Sequence, residues 1–325
     1  MLLQFSNQLL AQKNPVKISG YTQGTTYSIT YYDKQNRNFQ PEIEKLFKAV
    51  DHSLSLWDSS SIICSINSNK AEVLADEYLK NCYDKAMEVC RNTNGAFDIT
   101  VGPLVNYWGF GLKNRSKTDS AGVDSIMKFV GYRLVEMQDH KIIKKDNRVK
   151  LDFNGLAQGY TTDLVSRFLE TKNITKFIVE IGGEVYAKNK KPNGESWRVG
   201  IETPDDNSET NNPLIAIAKL ENKALSTSGS YRKFYIIDGK RYSHSINPMT
   251  GYPAMNNLLS VSVFADDCIT ADAYATSFMV MGYDATLKFL EKHKEIQVVM
   301  ITATSDGKYK MYQSSALKDI VNPAK

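Results

Sequence analysis

The chain runs to 325 residues, 42% hydrophobic and 23% charged, with a formal net charge of +4. That length can bury a large core in one domain or two, while mild basicity without a Lys/Arg block argues against a nucleic-acid footprint. No apolar stretch approaches the ~20 residues that a membrane-spanning helix needs. Residues 1–19, opening MLLQFSNQLLAQKN, read as a leader remnant or disordered arm: apolar, without a basic start, and with no cysteine ahead of Cys64 to accept a lipid.

Two β-rich segments, residues 16–21 and 27–32, flank Gly24 and Thr25, and the alternation through Ser28, Ile29, Thr30 and Tyr31 predicts a half-buried hairpin. From Pro41, suited to a first turn, Ile43, Leu46, Phe47, Val50 and Leu54 recur at helical spacing, so a helix is expected to end before Trp57. A second helix is expected over residues 76–91, and residues 113–146 read as a mixture of short helix, turn and hairpin. Beyond Val149 the pattern is strand, loop, helix: VKLDFNGLAQG, broken by Gly155 and Gly159, then a helix with Tyr160, Leu164, Val165, Phe168 and Leu169 on one apolar face. Strands follow at 177–181, 197–202, 214–220, 234–237, 259–264 and 297–301, with one helix over 270–292 ahead of the last. Strands and helices mix without a regular β-α-β-α rhythm. The fold class is therefore α+β, a single large domain over residues 20–325 with mixed, mainly antiparallel sheets and flanking helices.

Glycine pairs punctuate the segments that carry chemistry. Gly155 and Gly159 allow backbone to approach an ion closely, or simply turn the chain; Gly182 and Gly183 end the strand VEIGG as a bulge or as another close approach. Neither pair spells G-x-G-x-x-G, and G-x-x-x-x-G-K is absent, so Rossmann and P-loop readings lack support. Cys64, Cys82, Cys90 and Cys268 form no C-x-x-C pair, which points to buried free thiols rather than a zinc knot or redox motif.

In ADAYAT, Asp272 and Thr276 stand four residues apart, so on a helix both oxygens fall on one face, as a hard divalent cation requires. The plainer reading is an acid that favours a helix dipole. Residues 226–253, STSGSYRKFYIIDGKRYSHSINPMTGYP, gather hydroxyls with Tyr231, Arg232 and His244; a histidine in such a polar loop is a candidate general base. Ser228 and Gly229 raise a Ser-His-Asp hydrolase, but G-x-S-x-G is missing.

Taken in order, GAFDITVGPLVNYWGFG (residues 95–111), LDFNGLAQGYTTD (151–163), EIGGEV (180–185), TSGSY, SHSINPMTGYP and ADAYAT resemble the ApbE family of FAD:protein FMN transferases, from about Gly20 to beyond Ile301. The resemblance implies magnesium-dependent transfer of FMN from FAD to a Thr or Ser hydroxyl of a target protein, leaving a phosphoester and releasing AMP. It implies Asp272, Thr276 and the Gly155 carbonyl as Mg2+ ligands, with Asp272 and His244 as catalytic residues. Flavin contacts are implied at Gln23, Trp57, Ala96, Phe97, Asp98, Asp152, Gln158 and the backbone of Ile246. Trp57 offers a stacking surface, against the alternative of core packing. The implied partner is a redox protein carrying a Ser/Thr-Gly-Ala-Ser/Thr-like sequence, and the implied location is the periplasm or cell envelope, with peripheral membrane association.

Some positions depart from the family's habit. Many relatives have a charged residue at the position of Gln158 and Asp at that of Asn247, so contacts there become neutral hydrogen bonds. Others carry Asp at the position of Ala275, and its absence weighs against a second metal. Two alternatives remain open: a magnesium-dependent pyrophosphatase splitting FAD into FMN and AMP, and a non-catalytic flavin-binding protein, against which the pair Asp272 and Thr276 argues.

Overall fold

A computed structural model describes residues 14–111, 118–204, 213–230, 234–237, 240–243, 245–304 and 308–324. In chain order its elements begin with β1 (Val16–Thr22), β2 (Thr25–Tyr31), α1 (Gln40–Leu54), α2 (Ile62–Asn67), α3 (Glu77–Asn92), α4 (Gly102–Tyr107), α5 (Ser120–Met127), β3 (Val135–Gln138) and β4 (Lys141–Lys144). Next come α6 (Ala157–Thr171), β5 (Phe177–Ile181), β6 (Glu184–Lys188), β7 (Trp197–Glu202), β8 (Leu214–Leu220), β9 (Lys223–Gly229), β10 (Phe234–Ile237) and β11 (Lys240–Ser243). The chain finishes with β12 (Leu258–Ala265), α7 (Cys268–Met281), α8 (Tyr283–Leu290), β13 (Gln297–Ala303), β14 (Tyr309–Gln313) and β15 (Val321–Pro323).

Eight strands form one sheet in the order β1-β2-β5-β6-β9-β12-β13-β14, and every neighbouring pair is antiparallel. The alternation of side chains along each strand gives this sheet two apolar faces. Val261, Val263, Val298 and Met300 point to a helical layer built from α3, α7 and α8. Val185, Leu225, Phe264, Val299 and Ile301 point the other way and pack on a three-stranded sheet, β15-β8-β7, through Trp197, Ala216, Ala218 and Leu220. A further core joins β1, β2 and β5 to α1 and α6 through Ile29, Tyr31, Phe47, Val165 and Phe177. The architecture is α+β with mainly antiparallel sheets and flanking helices, as expected. Among the described residues no helix is long and apolar enough to cross a membrane. All four cysteines are free; Cys82, Cys90 and Cys268 are buried and Cys64 is partly so.

Three local expectations are corrected. No strand leads directly into Gly155: residues 149–153 are tied to helix ends and loops, with the Leu151 N–H donating to Asn67 Oδ1 (2.7 Å) and the Asp152 N–H to the Ile99 carbonyl (2.7 Å). Gly159 breaks nothing, since it lies inside α6. The expected helix over 270–292 is two helices, parted at Gly282, whose φ of 77° a side chain rarely tolerates. The first strand runs across residue 20, and residues 1–13 lie outside the described residues.

Candidate active site

Two hairpin tips meet the start of α6 at one end of the large sheet. Gln23 and Gly24 form a two-residue turn between paired Thr22 and Thr25, with φ of 49° and 75°. Gly182 and Gly183 do the same between Ile181 and Glu184, with φ of 66° and 105°. Turns with two positive φ angles match the twist of the flanking strands. A side chain at Gly182 would also come within 2.8 Å of Thr25 Cγ2 and 3.1 Å of Gln158 Oε1. The bare turn lets Gln158 Nε2 donate to the Gln23 carbonyl (3.4 Å), while Gln23 Nε2 donates to the Thr161 hydroxyl (2.9 Å).

From there α6 runs against α7 in the opposite sense, and three levels of contact fix the pair. At the first, a Cβ on Gly155 would lie 3.0 Å from the Phe97 ring and 3.4 Å from Thr276 Oγ1, so glycine lets ring and hydroxyl close over this backbone. At the second, Asp272 Oδ2 accepts the Gly159 N–H at 3.0 Å. Gly159 is the third residue of α6, and its N–H is one that the first helical turn leaves without a partner. At the third, Asp163 of α6 accepts the N–H groups of Cys268 (2.8 Å) and Ile269 (2.9 Å) at the start of α7, beside the cap that Asp267 provides to Thr270 N–H (2.9 Å). Each helix thus places a carboxylate on the other's N-terminus, where the dipole favours negative charge.

The electrostatic cost of this arrangement is concentrated in the same place. Asp272, 6% exposed, is pushed up to about 7 by burial, with the Gly159 N–H pulling it back and the charge on Asp163 adding to the rise. Burial likewise pushes Asp163 up to about 7 despite its two N–H donors. Glu184, which opens β6, is held well above the usual carboxylate range by burial and then by the charge on Asp272. Two buried side-chain polar atoms among the described residues have no hydrogen-bond partner, Gln23 Oε1 and Glu184 Oε2, and both sit at this end of the sheet.

The structure brings Gln23, Gln158, Gly155, Phe97, Thr276 and Asp272 into one connected set. Ala96 and Phe97 are buried just before Asp98, whose carboxylate accepts from the Thr100 N–H (2.8 Å) and hydroxyl (2.6 Å) and from the Tyr132 N–H (2.6 Å). Asp152 Oδ1 accepts the Asn154 N–H (2.8 Å), and burial raises its pKa. A Cβ on Gly102, the first residue of α4, would lie 3.3 Å from Asp152 Cβ. Ile246 packs on the far side of α4 with Leu104 and Trp108, bridged to Pro253. Trp57 is 69% exposed, which removes core packing as its role. His244 lies outside the described residues, with Tyr231 and Arg232.

Among the described residues no group of three His, Cys, Asp or Glu side chains could hold a metal. A cation here would depend on Asp272 with neutral oxygens from Thr276 and backbone. Residue reasoning passed over Asp163 and Glu184, although both stand in quoted motifs. Their signal was position, a charged residue on the inward face of an otherwise apolar helix or strand.

Comparison with known proteins gives the family and the fold. A model of the ApbE family matches residues 23–300. Proteins named FAD:protein FMN transferase are similar over nearly the whole chain: that of Vibrio cholerae is 33% identical over 317 residues, covering 94% of this chain and 93% of its own. That of Haemophilus influenzae is 32% identical, covering 94% and 91%. The solved flavin transferase ApbE from Vibrio cholerae superposes with a TM-score of 0.84 at 32% identity, covering 94% of this chain and 99% of its own. The apo flavinyl transferase ApbE of Pseudomonas stutzeri gives 0.86 at 27% identity, covering 96% and 98%. With the family match spanning residues 23–300 and relatives above 30% identity covered nearly end to end, this chain belongs to the ApbE family.

Proposed function

We propose that this chain transfers FMN from FAD to a Thr or Ser hydroxyl of an acceptor protein. The observation that carries the reading is the crossing of α6 and α7, which sets the Asp272 carboxylate, the Thr276 hydroxyl and the Gly155 backbone together. In the proposed reaction the acceptor oxygen forms a bond to the phosphorus of the FMN half, and the pyrophosphate P–O bond breaks. The bonding pair leaves with AMP, and the hydroxyl proton passes to a base, for which His244 is our candidate.

Asp272, Thr276 and the Gly155 carbonyl would hold Mg2+. The buried carboxyls support the fit: Asp272, Asp163 and Glu184 all resist ionisation by themselves, and a divalent cation supplies the missing countercharge. Mg2+, when bound, neutralises phosphate charge and polarises a phosphoryl oxygen. Phe97 and Thr276 crowd the Gly155 backbone. In this reading the exposed Trp57 would stack on the isoalloxazine ring, and Gln23, with its unpartnered Oε1, and Gln158 would meet the polar edge of the flavin nucleotide. We also propose that the acceptor is a redox protein with a Ser/Thr-Gly-Ala-Ser/Thr-like sequence, met at the cell envelope.

The test is to incubate the protein with FAD, Mg2+ and a peptide carrying that sequence. The expected products are a peptide heavier by the FMN moiety and an equal amount of AMP; AMP without modified peptide would make the protein a pyrophosphatase. Asp272→Ala is expected to abolish turnover, because the remaining neutral oxygens cannot hold a hard cation against its hydration. Wild-type rates in that variant would remove the metal assignment.

A further inference from the structure

Glu184 has a free oxygen in a place where free oxygens are costly. It is the first residue of β6, directly after the Gly182-Gly183 turn. Alternation along the strand sends Val185 and Ala187 toward the small sheet and Glu184 and Tyr186 toward the helices. Two contacts hold this backbone between α6 and α7: the Thr162 hydroxyl donates to the Glu184 carbonyl (3.4 Å), and the Cys268 thiol to the Val185 carbonyl (3.7 Å). Thr162 lies one turn beyond Gly159, and Cys268 one turn ahead of Asp272, so the Glu184 carboxyl enters where those two helices share the Gly159-Asp272 hydrogen bond.

The side chain is 7% exposed. Its Oε1 accepts the Ser226 hydroxyl at 3.3 Å, and among the described residues its Oε2 meets no donor. Burial and the nearby Asp272 charge both oppose its ionisation. A glutamine would fill the same volume without a charge to desolvate, so a carboxylate here calls for a positive partner, and among the described residues none meets its Oε2.

Building on the metal reading above, we propose that Glu184 is a positioning residue of the divalent-cation centre, its free Oε2 accepting a hydrogen bond from a water that the cation keeps in its hydration shell. Mg2+ dehydrates reluctantly and retains several waters when few protein oxygens bind it, and those waters are strong donors. The three proposed protein ligands include one carboxylate, which leaves part of the cation's charge for a second carboxylate to balance at one water's remove. Outer-shell carboxylates in this role orient the inner shell.

Titration of the full chain with Mn2+, followed by the electron paramagnetic resonance of the free ion, tests this without turnover. Glu184→Gln is expected to weaken Mn2+ binding about 10- to 100-fold, while the metal-free variant melts at or above the wild-type temperature because a neutral amide of the same volume replaces a buried carboxyl with an unpartnered oxygen. Wild-type affinity in Glu184→Gln, with binding lost in Asp272→Asn, would overturn the inference and leave the metal reading standing. No binding to the wild-type chain, or undiminished binding to Asp272→Asn, would overturn the metal reading and this inference with it. If Glu184→Gln does not fold, crystals of the wild-type chain with Mn2+ decide: a water between the ion and Oε2 supports the role, and any other arrangement at Oε2 ends it.

Discussion

Trp57 leaves most of its indole in solvent just after α1, held by a Trp57 N–H bond to Ser55 Oγ (3.2 Å). An exposed ring of this size contributes little to folding, whereas stacking on a flavin contributes about 0.5–1.5 kcal/mol beyond area burial. Trp57→Ala is therefore expected to weaken FAD binding about threefold to tenfold while the melting temperature stays fixed. Fluorescence titration with FAD and a thermal melt check this together; a lower melting temperature with unchanged affinity would return Trp57 to a structural role. Its chemistry was readable from the residue type, but its exposure was not, because an aromatic residue following an amphipathic helix fits core or surface equally well. Asp98 presents the reverse case. Family resemblance implies a flavin contact at Ala96-Phe97-Asp98, yet only the fold reveals that this carboxylate already accepts three protein hydrogen bonds.

Among the elements, the pair α6 and α7 decides the site. Gly159 is the closest point: a Cβ there would lie 2.4 Å from the Cys268 carbonyl oxygen and 2.8 Å from Asp272 Cβ, and a backbone carbonyl cannot swing aside as a flexible side chain can. Gly159→Ala favours helix locally by about 1 kcal/mol but forces α6 and α7 apart, a repacking that costs about 1–3 kcal/mol. The expected result is a lower urea midpoint and a loss of turnover larger than the stability change explains, since the shift also moves Asp272; a stabilised, fully active variant would contradict the crossing described here. Amphipathic periodicity made α1 and α6 legible, because each buries one face. It failed for α7, which is buried nearly all round and so carries no polar stripe to mark its end at Gly282. The strand expected before Gly155 failed for a related reason: VKLDF has strand-like alternation, but its N–H groups find Asn67 and Ile99 instead of a neighbouring strand.

For the whole molecule, buried carboxyls set how stability follows pH. Asp163 titrates near 3.9 in an unfolded chain and at about 7 when folded. Between those values the folded state holds the extra proton, so stability falls as pH rises from about 4 to about 7 and levels off above. Asp272 and Glu184 act in the same direction, Asp267 adds to the rise at Asp163, and Arg167 moderates it. Asp33, held down at about 2 by Arg37, works oppositely but only in more acid solution. Urea melts of the metal-free protein are thus expected to give a higher midpoint at pH 5 than at pH 7.5, and Asp163→Asn is expected to shrink the difference. A midpoint that climbs between those pH values would refute the burial argument.

The amino-acid sequence by itself determined the α+β class, the positions of most strands and the amphipathic helices, and the ordered motifs that resemble one family, since these rest on local periodicity, turn chemistry and residue identity. Tertiary structure alone decided that Gly155 meets Thr276, that Gly159 meets Asp272, and that Asp163 and Glu184 lie buried beside them. Those contacts join residues more than 100 positions apart in the case of Gly159 and Asp272. No local pattern encodes such a meeting, because it arises only when two helices close on one face of a shared sheet and displace the water that had kept each carboxylate charged.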